Sequence, residues 1–318
     1  MNIYWFQDSK TGHLKQVQAL LDQLKKETEL FITPINCTNQ ENFSQIFLNK
    51  NEFDGPTILI GAGHDVYSKI LKTKKYLKKT ISKDLFTIAV LRPSYKLSSF
   101  DLIIAPAHDF RKKQFPENVI PFQGSLSATS QNPVDEDKAI IAIGGPSKHY
   151  KFDQEIFIRQ LKYILSLHPK HEFKIFNSRR TPEILNLKLK DLICKHTKAQ
   201  FIDLNSRESD TFQDSLNKSA LKFVTPDSSN LVFEALSVQG QTYLIQIESP
   251  RYRRFFGAKK IRESMNELVD SKRVGVVSIL NKKGGIDISK IESPSPHFEP
   301  LAEVEKVSFS IMKFINQK

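Results

Sequence analysis

The sequence predicts an α/β protein of two domains, each a mostly parallel sheet flanked by helices. Three observations carry this. Strand-length apolar runs alternate with helical patterns in the first part of the chain, a polar stretch interrupts the pattern from Ser127 to Asp137, and a second alternation follows it. At 318 residues the chain is long for one core and suits two domains of about 150 residues each.

The first alternation places strands at Ile3 to Phe6, Leu30 to Thr33, Thr57 to Ile60, Phe86 to Leu91 and Leu102 to Ala105, with helical patterns between the first four. The second places them at Lys138 to Ile143, Glu172 to Phe176, Phe201 to Leu204, Leu221 to Val224 and Thr242 to Ile245. Asn132-Pro133 within the polar stretch sets the expected boundary, giving domains over residues 1–134 and 135–300. Residues 301–318 form a closing helix expected to return toward the first domain.

Ligands of open α/β sheets bind at the carboxyl ends of the strands, so the turns that follow strands are the candidate sites. After the first strand, Asp8, Lys10 and Gly12 are placed in ligand contact, with Gly12 letting backbone amides approach an anion and His13 in the first helical turn. His13 is a candidate catalytic base, as is His108 supported by Asp109 after the fifth strand, because imidazole titrates near neutral pH. An ordinary polar strand-to-helix turn accounts for the same residues equally well.

In the second domain, Gly144 and Gly145 resemble half of a glycine-rich phosphate loop, with Ser147 and Lys148 beside them. Ser178, Arg179 and Arg180 follow the next strand, and guanidinium groups suit phosphate oxygens bidentately. The most informative stretch runs from Thr225 to Ala235 and reads as strand, polar turn, helix. Asp227 or Ser228 is expected to cap that helix, whose amides and dipole suit a phosphate, with Thr225 and Ser229 alongside. Glu234, two turns in, is placed to take ribose hydroxyls. Two such rims facing each other would form a cleft.

Composition narrows the classes. The net charge of +12 fits a phosphate-bearing ligand, an anionic membrane surface or nucleic acid. No zinc-finger, RRM or KH signature supports nucleic acid. No apolar run approaches the roughly 20 residues of a membrane helix, and the N-terminus reads as a buried strand, not a signal peptide, so a cytoplasmic protein is expected. Cys37 and Cys194 are too far apart, and too bare of partner ligands, for a disulfide framework or zinc site. His64-Asp65 and His108-Asp109 match no metal spacing.

Lys69, Lys72, Lys74, Lys75, Lys78, Lys79 and Lys83 decorate a segment whose apolar positions Val66, Ile70, Leu77 and Ile81 follow helical spacing. Its apolar stripe is expected to pack on the sheet while the lysines are solvated; contact with anionic lipid on the inner face of a membrane is the sharper alternative. A second basic cluster, Arg251, Arg253, Arg254, Lys259, Lys260 and Arg262, follows the last strand and is expected to border the cleft.

Taken in order, seven segments resemble one family: Asp8 to Gln16, Gly61 to Asp65, Phe100 to Asp109, Gly124 to Leu126, Gly144 to Tyr150, Ser178 to Pro182 and Thr225 to Ala235. The family is that of the bacterial and plant mitochondrial fission proteins, assigned to the GT-B glycosyltransferases and also labelled nucleoside-diphosphate-sugar epimerases. Around Lys260 to Leu268 the family's Lys-Phe pattern is eroded to Lys260-Ile261-Arg262-Glu263-Ser264-Met265.

The resemblance implies a GT-B fold, two Rossmann-like domains facing a cleft, with a nucleotide sugar on the second and the acceptor face on the first. Glu234 would hold the ribose and Ser228 and Ser229 the diphosphate, with Gly144, Gly145 and Arg179 or Arg180 closing around it. It implies no metal and no cofactor beyond the donor itself. The expected activity is transfer from a nucleoside-diphosphate sugar to an unknown acceptor, envelope or lipid-linked being one class. The alternatives are a nucleotide-sugar epimerase or hydrolase, and a non-catalytic membrane-associated interaction protein.

Overall fold

Short runs rich in Ile, Val, Phe and Leu are buried on both faces only where helices cover both sides of a parallel sheet, and this architecture is found twice in the computed structural model. It describes residues 1–38, 55–79, 84–94, 96–110, 114–147, 150–205, 211–247, 258–281, 287–296 and 299–317. The chain divides into two compact units, Met1–Ala128 with Ala302–Lys318, and Thr129–Leu301.

The first unit contains β1 (Asn2–Gln7), α1 (Thr11–Glu27), β2 (Phe31–Asn36), β3 (Thr57–Ala62), α2 (His64–Leu77), β4 (Leu85–Val90), β5 (Leu102–Pro106) and β6 (Val119–Phe122). The six strands are all parallel, in the order β2-β1-β3-β4-β5-β6. Strand β6 was not expected from the sequence: it is only four residues long and carries Pro121, which lacks an amide donor and is tolerated at the sheet edge where this strand lies. The helical pattern expected between β2 and β3 falls largely outside the described residues.

The second unit contains β7 (Asp135–Ala142), α3 (Gln154–Leu167), β8 (Glu172–Phe176), α4 (Glu183–Ile193), β9 (Ala199–Ile202), α5 (Thr211–Lys218), β10 (Ser219–Val224), α6 (Ser229–Leu236), β11 (Gln241–Ile245), α7 (Ala258–Asp270), β12 (Gly275–Asn281) and β13 (Asp287–Glu292). Its sheet runs β13-β12-β11-β10-β7-β8-β9, parallel except for the last hairpin, in which β12 and β13 are antiparallel. That hairpin, too, was not anticipated. One face is filled by Ile141, Phe223, Tyr243 and Leu161. The other is filled by Ile140, Val224, Val232 and Phe233.

The closing helix, α8 (Glu303–Asn316), belongs to the first unit. Val304, Val307, Ile311 and Ile315 join the core beneath α1, and Ser308 Oγ donates to Glu27 at 2.6 Å. Glu303 accepts the Gln123 amide at 2.8 Å and so ties the helix to the end of β6. The division falls earlier than the expected 134/135, because the Ser130 amide donates to the Ser237 carbonyl at 3.1 Å and Ser130 bridges to Val238. These backbone bonds commit the polar stretch to the second unit.

Strand order fixes where each sheet has its crevice. Neighbouring strands whose connections leave in opposite directions part at their carboxyl ends, and ligands of doubly wound sheets bind there. In the first sheet this switch point lies between β1 and β3, and in the second between β7 and β10.

Candidate functional site

Each switch point carries residues that the sequence singled out. At the first, Asp8 follows β1 and its side chain is only 4% exposed. Asp8 Oδ2 lies 2.7 Å from His13 Nδ1, and Oδ1 accepts the Lys10 amide at 3.0 Å. An ionised carboxylate only accepts, so the His13 Nδ1–H donates to it and Nε2 is left as the basic nitrogen. The imidazole remains 21% exposed.

Gly63, at the N-cap of α2, closes this pair from the β3 side. Its φ is +99°, and a Cβ there would stand 2.5 Å from His13 Nδ1 and 2.8 Å from Asp8 Oδ2. Only glycine allows so close an approach in that conformation. Gly12, by contrast, lies inside the first turn of α1, where its carbonyl accepts from Gln16 Nε2 at 3.3 Å. Lys10 Nζ is 3.9 Å from the Asp65 carboxylate.

The structure therefore joins two residues that the sequence reading had kept in different roles. Asp8 was expected to contact ligand; its two oxygens hold His13 and the Lys10 amide instead. The spacing of five residues across a strand end and a first helical turn is the signal that could have found the pair. His108 and Asp109 stand elsewhere, in a short 3-10 turn after β5. Three strand spacings separate β5 from β1, about 14 Å. There the Asp109 carbonyl accepts from Arg92, whose guanidinium also covers the Phe110 ring at 4.9 Å.

At the second switch point, the turns after β7, β8 and β10 are knitted into one network. Thr225 Oγ1, fully buried, accepts the Gly144 amide at 2.8 Å. The Gly144 carbonyl accepts from Thr181 Oγ1 at 2.6 Å and from Ser178 Oγ at 2.9 Å. Asp227 Oδ2 accepts the Gly145 amide at 3.0 Å and Arg180 Nη2 at 2.7 Å, while Arg180 Nη1 donates to the Gly145 carbonyl at 3.2 Å.

This network corrects the expected capping. Ser228 occupies the N-cap position of α6 but makes no side-chain cap bond, and the Asp227 carboxylate turns away to the glycine loop. Both glycines are required by packing: a Cβ on Gly144 would stand 2.2 Å from Asp227 Oδ2, and one on Gly145 2.1 Å from the Arg180 carbonyl oxygen. Arg180, expected to clamp phosphate, is held by a carboxylate, and Ser178 supports the loop. Arg179 is exposed beside it.

Glu234 is half-buried in the second turn of α6, with Ser229 at its start. Ser147 accepts the Tyr150 amide on Oγ and donates its own amide to the Tyr150 carbonyl. Burial, and then the charge of Asp227, pushes the Tyr150 phenol up to about 12, with Arg262 opposing. Lys148 lies outside the described residues, as do Lys83 and Arg251, Arg253 and Arg254. Asp227 Oδ1 is buried with no hydrogen-bond partner among the described residues. No group of His, Cys, Asp and Glu suited to a metal ion occurs among them.

The sequence model of the family described as Mitochondrial fission ELM1 matches residues 11–314. The chain belongs to the mitochondrial fission ELM1 family. An uncharacterised protein of Rickettsia prowazekii (strain Madrid E) is 25% identical to this ELM1-family chain over 372 aligned positions, covering 99% of this chain and 98% of that protein. Among solved structures, the UDP-GlcNAc 2-epimerase from Neisseria meningitidis bound to UDP-GlcNAc superposes with a TM-score of 0.53 at 11% identity, covering 100% of both chains. MurG from Acinetobacter baumannii gives 0.46 at 9% identity, over 99% of this chain and 92% of that one. The likeness to the epimerase is one of fold: two parallel-rich α/β sheets of the GT-B type. No helix among the described residues is long and apolar enough to cross a membrane.

Proposed function

We propose that this ELM1-family protein is a nucleotide-sugar-dependent glycosyltransferase in which His13, oriented by Asp8, is the general base. The observation that carries the reading is the Asp8–His13 pair at the switch point of the first sheet, 2.7 Å apart with the carboxylate buried. A buried carboxylate that fixes the Nδ1–H tautomer presents Nε2 as an acceptor for the proton of an attacking hydroxyl. His108, with Asp109 in the short turn after β5, remains the second candidate.

The second unit binds the donor in this reading. The uncapped start of α6, with Ser228 and Ser229, offers amide donors and the positive end of a dipole to a diphosphate. Glu234 lies one turn below Asn230 on the same helical face and takes the ribose hydroxyls. Arg179, exposed beside the glycine loop, and the amides at the start of α6 offset the charge of the leaving nucleoside diphosphate, a role that needs no metal. The acceptor hydroxyl loses its proton to His13 as its oxygen bonds to the anomeric carbon and the diphosphate departs.

The deciding experiment is product analysis with a panel of nucleoside-diphosphate sugars, beginning with UDP-GlcNAc, in the presence and absence of acceptor extracts. Release of free diphosphate with a new glycoside, only when acceptor is present, is the expected result. A sugar nucleotide altered without acceptor would replace transfer with epimerisation. No thermal shift with any nucleotide would remove the donor site: a ligand at about 100 times its Kd adds roughly 2.7 kcal/mol, enough to be seen.

A further inference from the structure

We propose that the outer face of α2 docks this protein on an anionic membrane surface through lysine headgroup contacts and one interfacial tyrosine. Sequence alone offers seven lysines in this segment; the fold sorts them. Lys69 donates to the Cys37 carbonyl, and Lys74 donates to Asp101 at 2.7 Å and to Thr87 at 3.3 Å, so both serve the interior of the first unit. Lys72, Lys75, Lys78 and Lys79 are exposed, and none has a carboxylate partner among the described residues.

Lys72, Lys75 and Tyr76 share one helical face at spacings of three and four residues, and Lys79 stands in the turn just past the end of the helix. Tyr76 stands among the lysines at 43% exposure, unusual for a large ring on a surface otherwise made of charge. Like charges at these spacings repel one another, a cost that an anionic partner relieves. Amphipathic rings prefer the headgroup level of a bilayer, where the hydroxyl stays wet and the ring does not. Val66, Tyr67, Ile70 and Leu77 are buried in the core against the sheet and cannot insert. Binding is therefore peripheral and electrostatic, not by burial of an amphipathic helix.

The same helix begins at the Asp8–His13 pair, since Gly63 precedes it and packs on His13. At 1.5 Å per residue, Lys72 and Lys75 lie about 12 and 16 Å along the axis from His64. A membrane held at that distance suits an acceptor carried on a lipid, although docking itself does not depend on the transfer reading.

The test is co-sedimentation of the full chain with phosphatidylcholine vesicles, with and without phosphatidylglycerol. The protein is expected in the pellet only with the anionic lipid, and to be released as salt rises from about 0.1 to about 1 M and the Debye length falls from about 10 to about 3 Å. Each lysine near an anionic leaflet is worth roughly fivefold in partition, so Lys72→Gln with Lys75→Gln and Lys79→Gln should weaken binding about 100-fold, and the corresponding triple change to Glu more, while the thermal midpoint stays unchanged. A charge-matched control, Lys25→Glu with Lys26→Glu and Lys162→Glu, should retain it. Equal binding to neutral vesicles, no binding to anionic ones, or equal loss in the control overturns the proposal. So does a gel shift with RNA that the α2 triple variant abolishes while vesicle binding is absent. Nucleotide thermal shifts on the same variant, expected to be unchanged, separate this outcome from failure of the donor site.

Discussion

Arg180 Nη2 lies 2.7 Å from Asp227 Oδ2, and of the two side chains the arginine is 42% exposed while the aspartate has no exposed surface. The pair is asymmetric. Removing the guanidinium leaves a buried carboxylate with the Gly145 amide as its one remaining donor and its other oxygen already without a partner among the described residues, whereas removing the carboxylate leaves the Gly145 amide and an arginine that water can reach. Arg180→Ala is expected to cost about 3 kcal/mol, and Asp227→Ala clearly less. Urea denaturation of both variants checks the order, and equal losses would contradict the asymmetry.

The same carboxylate sits where an anion would otherwise meet the Gly145 amide and Arg180. Asp227→Ala should therefore raise affinity for inorganic pyrophosphate, by about tenfold for one charged contact of roughly 1.5 kcal/mol released to the ligand. Isothermal titration reads this directly. Weaker binding would mean that Asp227 orders the cradle instead of filling it.

His13 and Asp8 should separate in kinetics. His13→Gln removes the acceptor nitrogen and should lower kcat by about 100-fold or more with donor affinity unchanged. Asp8→Asn keeps the shape but loses the charge that stabilises the imidazolium, so kcat should fall while KM holds. A fully active His13→Gln enzyme would move the base to His108.

Gly63→Ala places a methyl group 2.5 Å from His13 Nδ1 at a φ of +99°. Backbone strain alone costs roughly 1–3 kcal/mol, and the imidazole must also shift. Both the unfolding midpoint and turnover should drop; loss of neither would show that the α2 start yields freely.

Lys222 is fully buried on β10, donates to the Gln239 carbonyl, and is pushed by burial down to about 7. An unfolded lysine titrates near 10.4. Below about pH 7 both states hold the proton; between about 7 and 10.4 the unfolded chain holds more, so stability rises with pH across that window, by at most about 1.4 kcal/mol per unit. Lys222→Met should lack that rise in denaturation curves taken from pH 7 to 10. Parallel curves for the two proteins would refute the assignment.

Glu234→Ala should weaken nucleotide binding by about tenfold or more, through the lost charge-assisted bonds to two hydroxyls. The measurement is a titration with the nucleoside diphosphate that gives the largest thermal shift, and unchanged affinity would take the ribose role from Glu234.

Much of the fold was legible because its signals are local. Ile3 to Phe6 or Leu221 to Val224 can hardly be anything but buried strand, and the Thr225 to Ala235 stretch announces its own turn and helix. What escaped were β6, interrupted by Pro121, and the β12–β13 hairpin, whose outer strand Asp287–Glu292 is mostly polar although β12 carries the apolar run Val276-Val277-Ser278-Ile279-Leu280. The candidate site was legible as a set of turns but not as a set of bonds. Asp227 looked like a helix cap because capping is a local event two or three residues long, and the fold gave it a different partner.

The sequence by itself determined the α/β class, the two-domain organisation and which polar turns follow the strands, since run length, periodicity and turn residues act over a few positions. Only the tertiary structure decided which turns meet. Gly145 and Asp227 are 82 residues apart, and Arg180 and Asp227 47 apart; they touch because β10 inserts beside β7 in the sheet order. That order is settled by the packing of whole helices on sheet faces, a sum over many distant contacts that no short stretch of residues encodes.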